Sequence, residues 1–210
     1  MSGRPPELVL ASASPRRSAL LNQVGLTFRV QVSELGEGGE MAFPGEAPEP
    51  HAARLALAKA RDVATRLGEG LVIGADTVVV LEERILGKPA DPTAAKAFLL
   101  ALSGRTHRVV SGVAVVDAAT GRSEVATAVT SVQMRPFDAA EAEAYVATGE
   151  PMDKAGAYGI QERGALLVEA IQGDYCNVVG LPLVLLVNLL QRFGMDVWGV
   201  KAGETRACPR

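Results

Sequence analysis

Leu8-Val9-Leu10-Ala11-Ser12-Ala13-Ser14-Pro15-Arg16-Arg17 changes character halfway along. The first four residues form a short apolar run of the kind that makes a buried strand. Ser14-Pro15 then reads as a helix start, with serine as N-cap and proline at the first helical position. Leu20, Leu21 and Val24 carry an apolar stripe along that helix until Gly25 ends it. A strand running directly into a helix is the repeating unit of α/β proteins.

Outward from this unit, residues 27–32 alternate as a second strand, and residues 36–50, rich in Gly, Glu and Pro, read as an exposed loop. An Ala-rich helix is expected over 51–67, stopped by Gly68. Residues 71–81 are the most apolar segment, with an interruption expected at Gly74-Ala75-Asp76-Thr77. A helix follows over 92–102. Residues 109–116 and 124–134 read as a hairpin pair around Thr120-Gly121. A short helix capped by Asp138 covers 138–148, a turn-rich loop 149–161, a strand 166–171 and a closing helix 183–193. Strands and helices alternate at both ends with hairpins between them. This predicts an α/β fold, a mixed twisted sheet flanked by helices. Residues 1–193 are expected to form a single domain and 194–210, where the pattern dissolves, a flexible tail.

Composition narrows the function classes. A net charge of −3 over 210 residues gives no general affinity for nucleic acid, so any polyanion must be gripped by a local cluster of cations. Cys176 and Cys208 fit neither a zinc spacing nor a disulfide framework and read as one semi-buried thiol and one tail thiol. The apolar runs are too short for a signal-peptide core or a membrane span, which leaves the cytoplasm as the default and no membrane partner.

Four groups of residues carry chemistry. Ser12, Arg16 and Arg17 sit where a strand meets a helix N-terminus, whose free N–H groups and dipole attract anions. Two arginines in a first turn oppose that dipole. The plainer reading turns both to solvent; the functional one supplies the anion that removes the repulsion. Asp76 is a carboxylate among apolar neighbours, where an unpaired charge costs several kcal/mol (roughly, from ion desolvation). Hydrogen bonding to a turn is the plainer role, a general base or metal ligand the sharper one. Lys59 shares a helix face with Ala52, Ala56 and Val63, either snorkelling or facing a site. Lys88 ends an apolar arm after a hairpin and is unremarkable alone. The glycine-rich loop 149–161 can approach a flat ligand closely, and Gln161 can read a base edge. His51 and His107 lack partners for a Ser or Cys triad and read as structural or surface residues. No Gly-x4-Gly-Lys-Ser/Thr loop occurs, which excludes a P-loop enzyme.

Taken together, Leu10-Ala11-Ser12-Ala13-Ser14-Pro15-Arg16-Arg17, Gly74-Ala75-Asp76-Thr77, Gly87-Lys88-Pro89, Ser103-Gly104-Arg105-Thr106-His107, the 149–161 loop and Val178-Val179-Gly180-Leu181-Pro182 resemble the Maf family of nucleoside triphosphate pyrophosphatases. The motifs stand in the family's order and cover about residues 7–193. The resemblance implies a mixed sheet between helices, with a central cleft like that of the enzymes that clear inosine triphosphate. It implies hydrolysis of dTTP and UTP to the monophosphate and pyrophosphate, by water attack on the α-phosphorus. Asp76 matches the family's proton acceptor. Ser12, Arg16, Arg17, Lys59 and Lys88 match its phosphate-handling positions. Arg16, Thr77 and Gln161 match positions of substrate choice, and the Asp76-Thr77 pair looks like the branch that prefers dTTP and UTP. A divalent cation, magnesium or manganese, is implied, as is a homodimer. For the metal-side carboxylate, spacing from Phe28 favours Glu37, with Glu34 and Glu40 as alternatives. The rival readings are a pyrophosphatase for 7-methyl-GTP or another non-standard nucleotide, and a non-catalytic nucleotide-binding regulator of cell division. Pyrophosphate release separates the enzyme from the regulator.

Overall fold

The computed structural model describes residues 6–35, 43 and 45–198. Its centre is a mixed seven-stranded sheet of β1 (Leu8–Leu10), β2 (Phe28–Val30), β3 (Leu71–Leu81), β4 (Arg84–Leu86), β5 (Thr106–Asp117), β6 (Ser123–Met134) and β7 (Val168–Gln172). The order is β2-β1-β3-β5-β6-β7, with β4 also paired to β3. β1 runs parallel to β2 and β3; the remaining pairings are antiparallel. The helices are α1 (Pro15–Gln23), α2 (Pro48–Leu67), α3 (Pro92–Leu102), α4 (Ala139–Val146), α5 (Tyr175–Val179) and α6 (Leu183–Arg192).

Strand alternation assigns the two faces of the sheet. Val9, Val72, Ala114 and Val116 pack under α2 against Ala56, Ala60, Val63 and Ala64. Their neighbours Leu8, Leu10, Ile73, Val113 and Val115 point the other way, against Leu20 and Leu21 of α1 and Leu186, Leu189 and Leu190 of α6. A further core joins α3 and α4 to the far ends of the long strands, through Val79, Leu86, Leu99, Leu102, Met134 and Tyr145.

Several expectations need correction. β3 runs unbroken through Gly74-Ala75-Asp76-Thr77, because it pairs with β5 from Leu71 to Val80 and the ladder overrides the weak strand preference of Gly and Asp. α2 begins at Pro48, three residues before His51, since prolines in a first turn have no N–H to lose. Ser14 occupies the N-cap position of α1 but makes no capping hydrogen bond; its own N–H donates to Ser12 Oγ at 3.2 Å. Residues 162–167 form a 3-10 turn, so β7 starts at Val168. α5 was not anticipated.

One feature of the register positions the site. On the side of β3 away from β5, β1 pairs with residues 71–73 and β4 with residues 79–81. Among the described residues no strand pairs with 74–78 on that side. The sheet splits there, where β1 ends and the chain turns into α1, and the cleft opens beside that bare edge.

Candidate active site

The cleft holds about 880 Å³, within the range of small-molecule pockets. Asp76, on its floor, projects to the same sheet face as Val72 and Gly74, the face covered by α2. There Lys59 Nζ donates to Asp76 Oδ1 at 2.6 Å, and both residues are more than nine-tenths buried. Two glycines make this reach possible. A Cβ at Gly74 would stand 2.1 Å from Ala56 O, and one at Gly112, the cross-strand partner of Asp76, 2.2 Å from Ala52 O. The helix therefore lies against bare backbone, and Lys59 meets the carboxylate directly instead of snorkelling. Asp76 Oδ2 accepts no hydrogen bond from any described residue.

Thr77 points to the opposite sheet face, yet it lines the same cleft because the open edge of β3 exposes both faces. Its Oγ1 lies 2.8 Å from Ser111 Oγ and 3.3 Å from Gly180 O. Arg17 completes this wall. Its Nε donates to Gly180 O at 2.9 Å, Nη1 to Ser12 Oγ at 2.9 Å, and Nη2 to Thr77 Oγ1 at 3.4 Å. Arg17 is thus buried and oriented, not solvated, and Ser12 sits behind it without lining the cleft. Arg16 takes a different course, its Nη1 donating to Asp153 Oδ2 at 2.7 Å across the mouth. The other oxygen of Asp153 accepts from Lys154 at 2.8 Å. Ser14 makes no side-chain capping bond at the start of α1, and Ser14, Pro15 and Arg16 of that end line the cleft, where the helix dipole attracts an anion.

Lys88 and Gln161 line the remaining sides, and Gln161 makes no hydrogen bond to a described residue. Behind the glycine-rich loop, Tyr158 Oη is 2.7 Å from His107 Nε2. Burial holds His107 neutral, its pKa lowered to about 4, and raises that of Tyr158. So the cleft brings together Arg16, Arg17, Lys59, Asp76, Thr77, Lys88 and Gln161. Glu37 and Glu40 lie outside the described residues. Glu34 pairs with Arg66 at 2.7 Å, near the far end of α2, and does not line the cleft.

Sequence reasoning passed over two groups. Asp153 and Lys154 were read only as part of a loop. His51, taken as structural or surface, is buried and lines the cleft. Its Nδ1 lies 3.1 Å from Glu46 Oε2, and Arg54 grips both oxygens of that carboxylate at 2.8 Å. These bonds lower the Glu46 pKa to about 2, the Arg54 hydrogen bond most strongly. The signal was present as Glu46, His51 and Arg54 around a helix start, but Glu46 stands in a Gly/Pro loop that reads as solvent-facing.

A divalent cation can be tested against these donors. No group of three His, Cys, Asp or Glu able to hold a metal occurs among the described residues. Magnesium and manganese do not require one, since such hard cations take one or two carboxylates and complete their shell with phosphate oxygens and water. Asp76, with Oδ2 uncommitted beside the cleft, fits that role.

Residues 7–193 match the model of the family described as Maf-like protein. A protein of Moorella thermoacetica named dTTP/UTP pyrophosphatase is 58% identical over 193 residues, covering 92% of this chain and 98% of its own. Another of the same name, from Pelotomaculum thermopropionicum, is 50% identical over 194 residues, with 91% and 98% covered. Among solved structures, the Ham1 protein of Staphylococcus aureus aligns with a TM-score of 0.45 at 18% identity, covering 89% of this chain and 97% of that one. A HAM1 protein from Coxiella burnetii gives 0.43 at 16% identity over 61% and 73%.

Proposed function

This chain belongs to the Maf-like protein family, and from that premise we propose that it hydrolyses dTTP and UTP to the nucleoside monophosphate and pyrophosphate. The observation that carries the reading is the Lys59–Asp76 pair on the floor of a cation-lined cleft in a net acidic protein. The name dTTP/UTP pyrophosphatase, borne by relatives about half identical or more, gives the substrate class.

Substrate water attacks the α-phosphorus, and Asp76 accepts its proton. Lys59, donating to Oδ1, holds the carboxylate in place for that task. Lys88, Arg16 and Arg17 offset the charge on the phosphates, with the first turn of α1 supplying amide donors. Ser12 acts through Arg17, fixing the guanidinium rather than meeting the substrate. A divalent cation, magnesium or manganese, would be held by Glu37, as the spacing suggests, together with Asp76, and would neutralise charge that develops on the phosphates. The nucleoside lies on the Thr77 side, under the loop that ends in Gln161. Uracil and thymine present an N–H between two carbonyls, and a glutamine amide offers that edge both an acceptor and a donor.

The test is kcat/KM for UTP, dTTP, CTP, GTP and 7-methyl-GTP, with product identification, on the native protein and on Gln161→Ala. Native protein should release pyrophosphate fastest from UTP and dTTP, and the variant should flatten that ranking more than it lowers the chemical rate. A purine preference, or an unchanged ranking in the variant, contradicts the pocket as drawn.

A further inference from the structure

Gln161 stands on a turn that is tied to a carboxylate outside the cleft. Glu150 opens a 3-10 turn at the start of the glycine-rich loop and is half-buried; neither it nor Tyr145 of α4 lines the cleft. Its carboxylate nevertheless gathers the far end of the same loop. Oε1 accepts from Tyr145 Oη at 2.8 Å and from Gly164 N–H at 3.1 Å, and Oε2 accepts from Arg163 N–H at 3.2 Å. Tyr145 Oη in turn accepts from Gly159 N–H at 3.2 Å. Gln161 is therefore at the tip of a short turn held on both flanks, at 159 through the phenol and at 163 and 164 through the carboxylate.

The turn needs such ties. Glu162, next to Gln161, has a left-handed φ of 53°, a conformation that a residue with a side chain adopts only at a cost. The turn is also closed tightly: a Cβ at Gly164 would stand 2.0 Å from Gly159 O and 2.6 Å from Tyr145 Oη. The Gln161 side chain makes no hydrogen bond to a described residue, so the backbone beneath it sets where its amide points. We propose that Glu150, acting with Tyr145, is a positioning residue for base selection: it pins the turn that aims Gln161 at the base edge, without touching the nucleotide. This rests on the pyrophosphatase reading and on Gln161 as the residue that meets the base.

The experiment compares the native protein, Glu150→Ala, Gln161→Ala and the double variant by the ratio of kcat/KM for UTP to that for CTP. The two nucleotides differ at the ring edge that a glutamine amide reads, where cytosine lacks the ring N–H and carries an amino group. Gln161→Ala should lower the ratio about 5- to 100-fold, the worth of hydrogen bonds to a buried edge. Glu150→Ala should reproduce most of that loss while kcat at saturating UTP stays within a few-fold of native. The double variant should lose no more than Gln161→Ala alone, because both changes remove the same contact. Additive losses in the double variant overturn the proposal, as does a native ratio in Gln161→Ala or in a folded Glu150→Ala. Should Glu150→Ala fail to fold, Tyr145→Phe decides, since it keeps the ring in its core and cuts only the tie to Gly159. Its ratio should fall about 2- to 10-fold, as for one hydrogen bond, and a native ratio again overturns the proposal. Failure of the native protein to release pyrophosphate from UTP or dTTP counts against the functional reading instead. Hydrogen exchange at the Arg163 and Gly164 amides, read without nucleotide, then still tests the tie: protection lost in Glu150→Ala supports it, and native protection overturns it.

Discussion

Asp76 was legible as a costly carboxylate in an apolar frame, and that cost shows what its partner must do. The Lys59 ammonium is buried beside it at 2.6 Å, so each charge depends on the other for its place in the interior. Asp76→Asn keeps the shape and removes the base, and turnover should fall on the order of 10²-fold or more, with UMP binding retained. Lys59→Met keeps the packing but strands the carboxylate, which should lower unfolding stability by about 3–5 kcal/mol. Kinetics at saturating UTP and urea denaturation measure the two effects. Full turnover in Asp76→Asn would remove it from the mechanism. Arg17 was harder to read, because nothing in an Arg-Arg pair says which side chain turns inward. Its anchor at Gly180 lies 163 residues away. Arg16 likewise meets Asp153 across 137 residues. Long-range partners of this kind leave no local spacing to detect.

At the scale of elements, helices with clear starts and stops were placed well. Asp91 accepts from Ala94 N–H at 2.8 Å to cap α3, and Asp138 caps α4 in the same way. β3 was misread because local preference argues for a break at Gly74, whereas the role of that glycine is contact with α2. A Gly112→Ala substitution tests this without touching a side chain of the cleft. The new methyl would lie 2.2 Å from Ala52 O, a backbone atom, so α2 must shift outward. Overpacking of this kind costs about 1–3 kcal/mol, and displacement of Lys59 from Asp76 should lower kcat along with stability. The paired measurement is a denaturation midpoint and turnover of UTP. A variant with native stability and native turnover would show that the helix does not need the bare backbone.

For the whole molecule, charge and titration set a pH range that no single element reveals. His107 reads in sequence as a residue beside a Ser-Gly-Arg-Thr motif; in the fold it is buried where β5 meets Tyr158, with Nδ1 lacking a hydrogen bond. Burial lowers its pKa from 6.5 to about 4. Between these values the unfolded chain binds a proton that the folded protein refuses, so stability must rise with pH through that window and fall as the protein is acidified. The full displacement corresponds to about 3 kcal/mol, complete once the pH reaches the folded value. Glu46 acts lower down. Its folded pKa, lowered from 4.5 to about 2, contributes stability that is present above 4.5 and lost as the pH falls toward 2. Acid unfolding should therefore proceed in two ranges with different owners. His107→Gln removes the titrating ring while leaving a polar group near Tyr158, and should flatten the slope of stability between about pH 6.5 and 4. The slope below that, owned in part by Glu46, should remain. Urea midpoints of both proteins across the range give the two slopes directly. An equal slope in His107→Gln above about pH 4.5 would mean that another group takes up the proton and that His107 is not held neutral by its burial.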